Sequence, residues 1–146
     1  MKEPRVRVAG VIVKDNSILF IKQEKNGKEY WLLPGGGLDY GETFYNCLKR
    51  EFREELNIEI EPKDMLFLSE GIAPDLSRHI VSVYFEAEWI SGIIKIGEEE
   101  ILKEAKFISY DEFENYTIYP NIKNELKEYI KNRREHKIKY ISNIWE

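Results

Sequence analysis

Glu51, Glu54 and Glu55 lie close together in a segment whose apolar residues recur at helical spacing. On a helix turning ~100° per residue, with Phe44 set at zero, Leu48, Phe52, Leu56 and Cys47 define a core-facing arc from ~300° round to ~120°. Lys49, Arg53 and Asn46 fall on the opposite side, between ~140° and ~200°. The three glutamates do not join them. They land near ~340°, ~280° and ~20°, inside or beside the apolar arc. Ionised carboxylates there cost several kcal/mol each unless a cation offsets them, and neighbouring acids repel one another. Hard oxygen ligands in such a group suit Mg²⁺, with Mn²⁺ as a substitute. The plainer alternative is that the acids sit at the edge of the arc and reach solvent, paired with Arg50 and Lys49. Just upstream, Gly35-Gly36-Gly37 is either a plain loop or a backbone to which a metal or phosphate can come close, because no Cβ intrudes.

These groups need elements to hold them. Arg5 to Lys14 reads as a strand, Asp15-Asn16-Ser17 as a turn, and Ile18 to Lys22 as the returning strand of a hairpin. Tyr30 to Leu33 is a further strand, stopped by Pro34 before the glycines. A helix is expected from Thr43, its N-cap, to Leu56. Met65 to Leu68 and Ile80 to Ile90 read as strands; in the second, Val81, Val83, Phe85, Ala87 and Trp89 alternate with polar residues and tyrosine. Short strands are expected at 93–96 and 106–109, and a single helical turn from Asp111 to Tyr116. Pro120 is placed in the first turn of a second helix carrying Ile122, Leu126 and Ile130. Mixed strands around two helices make an α/β (α+β) sandwich.

The chain has 146 residues, 42% hydrophobic and 34% charged, which fits one domain, 1–146, with a C-terminal helix and tail (about 120–146) packed on it. Its net charge of −5 argues against a nucleic-acid backbone as partner, since no basic surplus exists to displace counterions. The basic stretch from Lys131 to Lys139 is broken by Glu135 and reads as a solvated face. No run of apolar residues is long enough for a membrane span. The single cysteine, Cys47, suits a reducing cytoplasm and reads as inert packing. The apolar run Lys139 to Trp145 has two possible docking places, the domain itself or a second subunit in a homodimer.

One spacing stands out. Gly36, five residues, Glu42, seven residues, then Arg50-Glu51-Phe52-Arg53-Glu54-Glu55-Leu56-Asn57-Ile58 resembles the Nudix box, over 23 residues. Two positions depart from the family pattern. Phe52 replaces an aliphatic residue on the core side, and Asn57 replaces a glycine just past the helix end, where asparagine is the next-best residue for a left-handed backbone. The resemblance implies the Nudix (MutT-like) α/β/α sandwich with a mixed sheet. It also implies hydrolysis of a pyrophosphate bond in a nucleoside diphosphate derivative: a nucleoside triphosphate, ADP-ribose or a nucleotide sugar. By the same likeness Glu51, Glu54 and Glu55 bind Mg²⁺, assisted by a backbone carbonyl near Gly35 or Gly36. Arg50 orients the carboxylates, and Glu42 completes the outer shell through water. The general base is Glu51 or, from a downstream acidic loop, Glu100. Gly36 and Gly37 approach the substrate, and Arg78 grips a phosphate. Pro74, sixteen positions after Ile58, resembles the ADP-ribose-hydrolysing branch. The rival reading is a catalytically silent nucleotide-binding sensor on the same fold.

Overall fold

The computed structural model describes residues 2–97 and 102–145. Strand β1 (Arg5–Val11) carries valines and an alanine that are buried on both faces, as expected of a strand covered on two sides. It lies in a mixed sheet ordered β5 (Gly35–Gly37), β1, β7 (His79–Gly92), β6 (Ile58–Ile72), β9 (Lys139–Ile141). Within it β1 runs parallel to β7 and antiparallel to β5, while β6 is antiparallel to β7 and parallel to β9. A second, antiparallel sheet is built around β3 (Ser17–Lys25), flanked by β8 (Leu102–Ser109) on one side and by β2 (Val13–Lys14) and β4 (Lys28–Leu32) on the other.

The period-2 alternation of the strands sorts side chains into two cores. Val8, Leu19, Ile21, Val83 and Phe85 pack with Cys47, Leu48, Phe52 and Leu56 of helix α1 (Phe44–Leu56). Ala9, Phe20, Phe67 and Tyr84 pack with Leu126, Tyr129 and Ile130 of helix α2 (Lys123–Lys131). The helices therefore cover opposite faces of the strands, giving the expected α/β/α layering.

Several boundaries differ from the sequence reading. The first strand does not fold back on Ile18 to Lys22 as one hairpin. Only Val13-Lys14 pairs with Ser17-Ile18, and the residues before Ile12 join the other sheet. The glycine run is a strand rather than a plain loop, because Gly10 N–H donates to Pro34 O at 2.9 Å and draws it alongside β1. Strand β6 begins at Ile58 and passes Pro62 through irregular pairing with β7. Residues 93–97 form no strand; their N–H groups are used elsewhere, Lys95 donating to Leu56 O and Gly97 to Glu55 O, each at 2.9 Å. They thereby satisfy carbonyls that the end of α1 leaves unpaired. Pro120 precedes α2 rather than opening it, in a cis Tyr119-Pro120 bond. Residues 139–145 dock on the domain's own sheet, through β9 on the edge of β6. No helix among the described residues is long and apolar enough to cross a membrane.

Candidate active site

Helix α1 starts where the sequence places it. Thr43 Oγ1 accepts from Asn46 N–H at 3.1 Å, and Glu42 Oε1 accepts from Asp39 N–H at 3.0 Å, fixing the turn before the cap. The helix ends on Asn57, in the left-handed region at φ 59°, which stands in for the motif's glycine.

Between these ends Arg50 gathers the acids. Its guanidinium donates to Glu42 through Nε at 2.7 Å and Nη2 at 2.9 Å, to Glu51 at 2.8 Å, to Glu54 at 3.3 Å, and to the Gly37 carbonyl at 3.2 Å. Asp39 lies 3.4 Å away. A planar fork with five N–H groups can serve that many oxygens, whereas a lysine in its place would lack the geometry. This hub holds the Glu42 carboxyl well below the usual range, at about 2, chiefly through the Arg50 bond and then through Asp39 N–H.

The acids approach the glycine strand from above. Glu55 is buried, and its Oε1 accepts from Gly35 N–H at 3.0 Å. The Glu51 carboxylate lies directly over Gly36, in the space a Cβ would fill. Burial raises the Glu51 pKa, with the Arg50 bond and charge opposing and the Glu54 charge reinforcing the rise. The helical-wheel expectation holds for Glu51 and Glu55. It fails for Glu54, whose side chain is 57% exposed, since its angle lies at the edge of the arc. The charge of the buried acids is already offset by Arg50 and Gly35 N–H, so their burial does not by itself demand a cation. Among the described residues, no three acidic, histidine or cysteine side chains are gathered around one point as a ready-made cage. The donor set still fits a hard divalent ion: carboxylate oxygens share one helix flank above a strand without side chains.

Arg50, Glu51, Glu54, Glu55 and Gly35 to Gly37 are thus brought together. Arg78 is not among them; it sits in the turn after β6 and lines two neighbouring cavities, of about 780 and 600 Å³. Glu100 lies outside the described residues. Cys47 is buried with Sγ 3.5 Å from Gly37 O, and burial, then the Glu42 charge, pushes its thiol up to about 12, consistent with packing alone.

Sequence reasoning missed two cations beside the glycines. Arg7 donates to Leu33 O at 2.8 Å, and Arg5 Nη2 comes within 3.4 Å of where a Gly37 Cβ would stand. The Arg5-Val6-Arg7-Val8 alternation carried that signal, readable only once β5 is known to pair with β1. The aromatic wall of the larger cavity, Tyr30, Tyr119 and Trp145, was also missed, because it assembles from distant parts of the chain.

Residues 3–130 match the model of the NUDIX domain. Over 105 residues the chain is 37% identical to the ADP-ribose pyrophosphatase of Methanocaldococcus jannaschii, covering 71% of this chain and 61% of that one. It is 35% identical over 75 residues to phosphatase NudJ of Escherichia coli K12, covering 51% of this chain and 49% of the relative. The match thus spans about half to three-fifths of the length of these relatives. The crystal structure of a MutT NUDIX hydrolase from Burkholderia pseudomallei superposes with a TM-score of 0.69 at 30% identity, over 75% of this chain and 86% of that one.

Proposed function

This chain belongs to the NUDIX domain family, and we propose that it is a divalent-cation-dependent hydrolase of nucleoside diphosphate derivatives, with ADP-ribose as the first substrate to test. The observation that carries this reading is the Arg50-centred group of carboxylates seated on a side-chain-free strand. The likeness to the ADP-ribose pyrophosphatase of Methanocaldococcus jannaschii supports ADP-ribose over other derivatives.

The residues divide the work as follows. Glu51, Glu54 and Glu55 would hold Mg²⁺ or Mn²⁺, with a backbone carbonyl of Gly35 or Gly36 beside them. When bound, such an ion neutralises diphosphate oxygens and makes a water more acidic. Arg50 keeps Glu51 and Glu54 aimed at the same place, and Glu42 in turn fixes Arg50. Glu51 is the preferred general base: its carboxylate, held by Arg50 over Gly36, is placed to take a proton from water. Gly36 makes room for the Glu51 carboxylate and Gly37 would lie beside the diphosphate, with Arg5 next to Gly37 and Arg78 in the turn after β6 supplying positive charge. Water adds to one phosphorus, the bridging P–O bond breaks, and ADP-ribose yields AMP and ribose 5-phosphate.

The test is Mg²⁺-dependent turnover of ADP-ribose by the wild type and by Glu54→Gln. Loss of one ligand of a charge-neutralising ion is expected to lower kcat at least ~100-fold, with the thermal midpoint kept within a few degrees because Glu54 is exposed. Wild-type turnover in the variant would refute Glu54 as a ligand. Wild-type binding of nucleotide with no hydrolysis would favour the sensor reading instead.

A further inference from the structure

Residues 139–145 lie beyond the 3–130 that match the family model, so their role is not given by family membership. They are nonetheless fastened to the sheet. Phe67, Leu68 and Ser69 of β6 pair in parallel with Lys139, Tyr140 and Ile141. Past β9, Ile72 N–H donates to Asn143 Oδ1 at 3.0 Å, and Ile144 N–H donates to Glu70 O at 2.8 Å. Gly71 allows this approach, since a Cβ there would stand 2.8 Å from Ile144 O.

The fastening delivers Trp145 to the wall of the 780 Å³ cavity. Its ring meets Tyr119 at 6.3 Å and 90°, and Tyr119 meets Tyr30 at 6.4 Å and 64°. All three rings line the cavity, together with Arg78, Lys25, Lys28 and Lys123, the last paired with Glu114 of the same wall at 3.7 Å. Leu32, on the same wall, is joined through Leu33-Pro34 to the glycine strand under Glu51. Perpendicular rings let a third flat ring stack on one while meeting the edge of the other, and the cations around them favour an attached phosphate.

We propose that the 139–145 segment is a specificity element in which Trp145, held against Tyr119, stacks on the nucleobase of the substrate. This rests on the reading of the chain as acting on a nucleoside diphosphate derivative, and it names the residue that recognises the nucleoside end. Stacking one base on an aromatic ring gives an effect of about tenfold or more when the ring is removed.

The experiment has two arms. In the first, tryptophan fluorescence is followed as AMP or ribose 5-phosphate is added to the full chain. AMP is expected to change the emission of the wild type and of Trp89→Phe but not of Trp145→Phe, and ribose 5-phosphate to change none of them. In the second, Trp145→Ala is expected to raise KM for ADP-ribose about tenfold with kcat within about twofold, Trp145→Phe to restore KM to within about threefold, and Asn143→Ala, which loosens the segment while keeping the ring, to raise KM in the same direction. A Trp145-dependent AMP response without ADP-ribose turnover would sink ADP-ribose as the substrate and leave the stacking standing. Turnover with an AMP response that survives in Trp145→Phe, or an unchanged KM in Trp145→Ala, overturns it. Neither turnover nor an AMP response overturns both.

Discussion

Arg50 pairs with four neighbouring acids, and an added Cβ would clash at each of the two glycines below them, with different consequences. At Gly36 a Cβ would overlap the Glu51 carboxylate, the far end of a flexible side chain, which can swing away. Gly36→Ala is therefore expected to keep the fold, with a thermal midpoint within a few degrees of wild type, while lowering kcat/KM at least ~100-fold by displacing Glu51. At Gly35 the Cβ would meet the backbone oxygen of Val8, which cannot move without unpairing β1. Gly35→Ala should cost several kcal/mol in urea unfolding, a contrast that separates a site glycine from a fold glycine. Glu42 offers a pH test. Its carboxyl is held at about 2 against an ordinary 4.5, so folding favours the ionised form. That contribution is complete above 4.5 and disappears as pH falls towards 2. The difference in thermal midpoint between wild type and Glu42→Gln should accordingly shrink across this window; a constant difference would refute it. The helical period puts Glu51 and Glu55 over the glycine strand from sequence alone, but it also turns Glu54 inward, where the structure leaves that side chain exposed. Arg5 and Arg7 were not legible, because their place beside the glycines depends on a strand pairing that spacing does not encode.

Helix α1 was read correctly to its caps because each cap has a local chemical cause. Thr43 supplies a side-chain acceptor, and Asn57 tolerates a left-handed backbone. The second cause gives a prediction. Asn57→Ala should destabilise by about 1 kcal/mol through the left-handed penalty, and Asn57→Gly by less, both measured by denaturant unfolding. Equal losses in the two variants would show that the Asn57 Nδ2 bond to Ile93 O, at 3.4 Å, matters more than the backbone. Strands were less legible. The glycine strand has no side chains to show alternation, and β6 carries Pro62 and pairing irregularities that interrupt its period. Residues 93–96 look like a strand by composition, yet the N–H groups of Lys95 and Gly97 cap α1, a use only the tertiary fold decides.

Across the molecule, two cores on opposite faces of the strands fix α1 over the glycine strand and α2 on the other side. On the α2 side, Tyr129 and Arg133 both donate to Glu86, and His136 bonds to Leu66 O at 2.9 Å, tying the α2 end to the sheet beside β9. The apolar composition of 139–145 announced docking, but neither the edge of β6 nor the cavity that Trp145 reaches was visible before the sheet order was known. The proposed function requires the acids, arginine and glycines to act as one diphosphate-splitting centre. Phosphorus NMR of ADP-ribose incubated with the full chain and Mg²⁺ tests it most directly. The two diphosphate resonances should give way to two phosphomonoester resonances, and should persist when EDTA replaces Mg²⁺. Diphosphate resonances that stay unchanged with Mg²⁺ present, or that vanish equally fast in EDTA, would contradict it.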